Sequence, residues 1–164
     1  KSVGCRMIGT VSTQKKAELA MENGCEFTIN YKEEIISEKV MEITKNKGVP
    51  VVYDGVGKDT FDESIKSLST RGLMVSFGQS SGMVEKIDMH KTFNPKSLFY
   101  TRPSLMGYTL NREELTNCSN KLFEKMKNKE VRPNIYKKFK LEEAKEAHVT
   151  LQSRESSGSI ILQP

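Results

Sequence analysis

The sequence predicts an α/β fold built on a parallel sheet. Three observations predict it. Apolar runs short enough to be strands alternate with longer amphipathic runs throughout the first half. Two of those strands run into glycine loops, "DGVG" and "FGQSSG". The first strand closes on "GTVSTQKK", residues 9 to 16, a corner of hydroxyls and lysines without a carboxylate.

In chain order, "CRMIGTV" reads as a buried strand. "QKKAELAMENG" follows as a helix, with Ala17, Ala20 and Met21 on one face and Gly24 as its stop. "EFTINY" is a second strand. "KEEIISEKVMEITKNKG" is a second helix, with Ile36, Val40 and Ile43 in register. Its acidic residues come early and its lysines late, which complements the helix dipole. "VPVVYDGVG" is a third strand. "DTFDESIKSLSTRG" carries Phe61, Ile65 and Leu68 on one helical stripe, and "GLMVSFGQSSG" is a fourth strand. Strand and helix alternating at short intervals imply parallel strands joined by crossover helices. The glycines then lie at carboxyl ends of strands, where open α/β sheets bind ligands. Turn chemistry alone explains either loop equally well.

The second half is less regular. "SLFYTRPSL" is extended with Pro103 inside it, the mark of an edge strand or a strand end. "NREELTNCSNKLFEKMKNKEV" is an amphipathic helix through Leu115, Cys118, Leu122 and Met126. "YKKFKL" is a short strand. "LEEAKEAHVTLQSR" is a helix with Ala144, Ala147, His148 and Leu151 on one side, and "GSIILQP" is a last strand.

Composition excludes several classes. At 164 residues the chain is about one domain in size, with 26 basic and 21 acidic residues and a net charge of +5. The charges are interspersed, so most are solvated helix faces. Cys5, Cys25 and Cys118 have no paired spacing, which argues against a disulfide scaffold or a zinc ribbon and suggests a reducing, cytoplasmic setting. His90 and His148 are equally scattered, so no metal site is expected. No apolar run reaches the ~18 residues of a membrane span. No nucleophile–base arrangement or carboxylate pair emerges, and no catalytic residue is assigned.

At the opening corner a carboxylate would accept hydrogen bonds from a ribose and repel a 2′-phosphate. Ser12, Thr13, Lys15 and Lys16 instead suit a phosphorylated ribose, with Tyr31 ending the next strand within reach. Taken alone, the corner is explained better by an N-cap serine followed by solvated lysines.

"GTVSTQKKAELAMENGCEFTINYKEE", "VVYDGVGKDTFDESIKSLSTRGLMVSFGQSSG", "LFYTRPSLMGY" and "LQSRESSGSIILQP" together resemble the zinc-independent quinone oxidoreductases of the medium-chain dehydrogenase/reductase superfamily. The resemblance runs over essentially the whole chain. It implies a Rossmann-like, doubly wound parallel sheet, with residues 1–128 as the NADPH-binding domain and 129–164 as a tail returning to a catalytic domain. It implies NADPH-dependent reduction of quinones without a catalytic metal. Ser12, Lys16 and Tyr31 would hold the adenosine 2′-phosphate. Val56 would lie beside the adenosine or pyrophosphate portion, and Phe77, Gly78, Gln79 and Ser80 would line the nicotinamide half. Arg102 would stand at the nicotinamide or the rim of the site, and Arg154 would reach a cofactor phosphate from the tail. Without the resemblance, Phe77 reads as core packing and Arg154 as a helix C-terminal cation.

The resemblance also implies that the first strand of the cofactor domain and its glycine-rich turn precede "KSVG". The chain is then the C-terminal part of a longer enzyme and inactive alone, with a gap in its sheet where the central strand belongs. A homodimer is expected through the edge strand, residues 98–105. The competing reading is a non-catalytic Rossmann-like module that binds RNA or a protein partner through Lys45, Lys47, Lys137, Lys138 and Lys140. Aromatic residues for base stacking are too sparse around those lysines to favour RNA.

Overall fold

The computed structural model describes residues 3–153 and 156–164. They form two compact units, Val3–Leu110 and Asn111–Pro164.

In the first unit, strand β1 (Ile8–Val11) leads into helix α1 (Gln14–Glu22). Strand β2 (Phe27–Asn30) then pairs with β1 in parallel, Val11 opposite Asn30. Thr13 caps α1, its hydroxyl accepting the Lys16 amide at 3.3 Å, and Ala17 is the buried residue of the crossover. Ahead of both strands, the Arg6 guanidinium forks onto the Glu26 carboxylate, each bond 2.7 Å.

Helix α2 (Ile36–Ile43) starts later than the sequence predicts. A turn takes up residues 31–34. The Asn30 carbonyl accepts the Glu33 and Glu34 amides, and the Glu34 carboxylate accepts the Asn30 amide at 3.1 Å. Strand β3 (Val49–Asp54), helix α3 (Phe61–Ser67) and strand β4 (Leu68–Ser76) follow. The helix expected to run to Gly72 ends at Ser67. The Ser67 hydroxyl donates back to the Glu63 carbonyl at 2.7 Å. The Lys96 ammonium donates to the carbonyls of Lys66 and Leu68 at 2.8 and 2.6 Å. Leu68, read as the end of a helical stripe, therefore opens β4 and is completely buried.

Helix α4 (Met89–Phe93), strand β5 (Phe99–Thr101) and helix α5 (Leu105–Tyr108) complete this unit. β3, β4 and β5 are parallel and adjacent in that order. Pro103 falls past the end of β5, where it breaks no ladder. Phe61, Leu68, Met74 and Phe93 form the core, with Val52, Ile65, Val84, Ile87 and Leu98 packed against it.

β1 pairs with β2, and β3 with β4, but β1 and β3 do not pair with each other. The sheet is split where the sequence predicts a gap. α2 and α3 pack together across the divide, and the Glu63 carboxylate of α3 accepts the Ser37 amide of α2 at 2.9 Å.

In the second unit, helix α6 (Arg112–Lys127) is capped by Asn111, whose side chain accepts the Glu114 amide at 2.9 Å. Glu113 and Glu114 lie in its first turn and Lys125 and Lys127 in its last, as the dipole favours. The stripe expected to be buried is mostly exposed: Leu115, Cys118 and Leu122 face solvent. Strand β6 (Ile135–Lys140), helix α7 (Ala144–Gln152) and strand β7 (Ser159–Gln163) form a parallel pair with a helical crossover, burying Phe139 and Ala147.

Candidate functional site

The site residues of the first unit fall into two groups, each at carboxyl ends of strands. The first is the corner after β1. Ser12 follows Val11 directly, and the Tyr31 amide donates to the Val11 carbonyl at 3.1 Å. That bond carries the strand pairing one residue past β2 and brings Tyr31 beside Ser12. The capping hydroxyl is Thr13 rather than Ser12, so the N-cap explanation of the corner belongs to its neighbour. Ser12 and Lys16 are half-buried, and Tyr31 is exposed. From residue 12 to 16 the chain offers hydroxyls, an amide and two ammonium groups, and no carboxylate. That donor set fits a phosphorylated ribose better than a bare diol.

The second group lies after β3 and β4, whose loops are laced together. The Asp54 carbonyl accepts the Phe77 amide at 3.0 Å and the Gly78 amide at 3.3 Å. The Gly55 carbonyl accepts Ser80, and the Val56 carbonyl accepts both the amide and the hydroxyl of Ser81. In return, the Lys58 amide donates to the Gly82 carbonyl and the Asp59 amide to the Ser81 hydroxyl. Two glycines permit the close approach. A Cβ on Gly78 would stand 2.4 Å from the Gly55 oxygen, and one on Gly57, at φ +91°, would stand 2.6 Å from the Gly82 oxygen. Val56 and the run Phe77, Gly78, Gln79 and Ser80 are thereby brought together.

Phe77 is not core packing. Its ring is 58% exposed, lies across Gly55 and meets Tyr53 edge-on at 6.5 Å between centroids. An aromatic face held open at a strand end is available to a flat ligand. Arg102, in the loop after β5, donates to the Gln79 side chain at 2.8 Å and so joins this group. Arg154 lies outside the described residues.

Asp54 is a further member of this group, one that residue type and periodicity do not single out. It is 4% exposed and ends β3. One oxygen accepts the Val56 and Gly57 amides at 2.8 and 3.0 Å, and the other accepts the Ser64 hydroxyl at 2.8 Å. The Thr60 hydroxyl lies 2.9 and 2.8 Å from the two oxygens. The signal was present: an aspartate just ahead of a glycine loop forms a turn on its own following amides.

A model of the family described as zinc-binding dehydrogenase matches residues 1–126. The chain belongs to the zinc-binding dehydrogenase family. Among curated members of the family, quinone oxidoreductase 1 of Escherichia coli K12 is 45% identical over 166 residues, covering 100% of this chain and 51% of that protein. A 2-haloacrylate reductase of a Burkholderia species is 42% identical over 165 residues, covering 100% and 50%. The crystal structure of E. coli quinone oxidoreductase complexed with NADPH superposes with a TM-score of 0.94 at 45% identity, covering 99% of this chain and 51% of that one. The quinone oxidoreductase of Pseudomonas syringae gives 0.95 at 38% identity, covering 100% and 50%. The chain thus spans about half the length of the curated relatives it matches. Among the described residues, no group of three or more His, Cys, Asp or Glu could hold a metal ion, and no helix is long and apolar enough to cross a membrane.

Proposed function

We propose that this chain is the cofactor-binding part of an NADPH-dependent quinone reductase. The observation that carries the reading is the carboxylate-free corner of Ser12, Lys16 and Tyr31 at the end of β1. The 45% identity to a quinone oxidoreductase, and the NADPH complex of the E. coli enzyme, support it. Residues 1–128 would form the cofactor domain and 129–164 would return to a catalytic domain, although the compact units divide earlier, at Leu110 and Asn111.

In this reading Ser12 and Tyr31 donate hydroxyl hydrogen bonds to the 2′-phosphate, and Lys16 supplies its counter-charge. The Val56 loop lies along the adenosine or pyrophosphate portion. Gly78, Gln79 and Ser80 flank the nicotinamide, Phe77 excludes water there, and Arg102 keeps the Gln79 amide oriented. NADPH supplies the hydride when bound, so the protein's task is orientation and exclusion of water rather than proton transfer by a catalytic side chain. Independence from zinc, a homodimer and a cytoplasmic location belong to the same proposal.

The test is cofactor oxidation by the native-length protein with a panel of quinones, with 2-haloacrylate included because the Burkholderia relative bears that name. Turnover should be faster with NADPH than with NADH and unchanged by a zinc chelator. Residues 1–164 alone should bind NADPH poorly and give no turnover. Oxidation of NADH in preference, or loss of activity with the chelator, would sink the reading.

A further inference from the structure

We infer that Asp54 is a positioning residue that sets the spacing of the two cofactor-facing loops. The inference rests on the proposed NADPH site and adds a residue to it. Its basis is that both loops terminate on this one residue by different routes. Through its carboxylate, Asp54 holds the amides of Val56 and Gly57, which are the start of the first loop. Through its carbonyl, it holds the amides of Phe77 and Gly78, which are the start of the second. The same carboxylate is fixed in turn by Thr60 and by Ser64, near the start of α3. Strand end, loop, helix start and neighbouring loop thus meet at one buried residue, the neighbouring loop through its carbonyl and the others through its carboxylate.

Simple helix capping does not account for this arrangement. The N-cap of α3 is Thr60, and no side chain makes a cap bond there. Nor, among the described residues, is the carboxylate engaged by a basic side chain, since its hydrogen-bond donors are amides and hydroxyls. It is built to gather donors from several segments, and a buried donor left without its acceptor must move or find water. Removing the carboxylate keeps the carbonyl but unfixes the strand end that carries it, so Val56 and Phe77 should be displaced together although Phe77 never touches the carboxylate. The corner of Ser12, Lys16 and Tyr31 lies on other strands and should not respond.

Amide hydrogen exchange on the native-length, cofactor-free protein tests the inference directly. In Asp54→Ala, exchange should speed up about tenfold or more at Val56, Gly57, Phe77, Gly78 and Ser81, with Ile29 and Tyr31 unchanged. Asp54→Asn keeps an oxygen for the loop amides and should restore most of the protection. If Asp54→Ala does not fold, Thr60→Val and Ser64→Ala each remove one anchor and should give smaller changes in the same amides, while Thr60→Ser should behave as wild type. The dissociation constants for NADPH and NADH, read by cofactor fluorescence, should rise together in the anchor variants, leaving their ratio unchanged. Faster exchange confined to residues 56 and 57 would overturn the inference, as would unchanged dissociation constants for both cofactors in a variant whose loops exchange faster. Failure of the wild-type protein to bind NADPH would overturn the proposed function instead, and the exchange pattern would still decide whether Asp54 couples the loops.

Discussion

Lys16 decides cofactor preference if the corner after β1 receives a 2′-phosphate. A charge-assisted hydrogen bond contributes roughly 1.5–3 kcal/mol, or about ten- to a hundredfold in affinity. Lys16→Glu should therefore weaken NADPH by that factor and spare NADH, as read by calorimetric titration of each cofactor. Equal losses for both would refute the phosphate role. This corner was legible in the sequence because residue type alone carries the argument, and a carboxylate is either present or absent. Tyr31 was legible as well, because the parallel pairing of two adjacent strands dictates its place. Asp54 was not assigned a role, because its meaning depends on partners up to ten residues away and on a loop from another strand. Phe77 stands exposed at the end of β4, where periodicity places any aromatic closing an apolar strand in the core.

At the scale of elements, the boundary between α3 and β4 shows what local pattern misses. The helical stripe Phe61, Ile65 and Leu68 is real in composition, but Lys96 reaches back 28 residues to the Leu68 carbonyl and marks the helix end. Burial lowers the Lys96 amine below its ordinary range, because the charged form loses water there. The seam between α2 and α3 carries a pH dependence. Burial pushes the Glu63 carboxyl up, but the Ser37 amide, Lys66 and the Ser37 hydroxyl outweigh it and hold the group below its usual 4.5. A depressed carboxyl stabilises the fold above its unfolded value and loses that contribution as pH falls through the folded value. Thermal melting from pH 6 to 3 should show a steeper acid-side fall for the wild type than for Glu63→Gln, with the variant less stable at neutral pH. Parallel curves would show that the seam contributes nothing.

At the scale of the molecule, β5 is the open edge of the three-stranded part and the expected contact of a dimer. Leu98 packs on the core, and Tyr100 meets Phe93 edge-on at 5.7 Å, so charges at either position would damage the core itself. Phe99 is 61% exposed and is the better probe. Phe99→Asp should move the native protein from dimer to monomer in sedimentation, with the variant monomer still folded by circular dichroism. A wild-type protein that is monomeric at high concentration would end the proposal.

The split sheet has a calorimetric consequence. The cluster of Phe61, Leu68, Met74 and Phe93 belongs to the part around β3, β4 and β5. Val11, Ala17 and Ile29 are buried around β1 and β2, outside that cluster. Two small cores joined along one helical seam have little reason to melt as a single cooperative unit. For residues 1–164, the van't Hoff enthalpy should fall short of the calorimetric one, with the β1–β2 part losing its structure at the lower temperature.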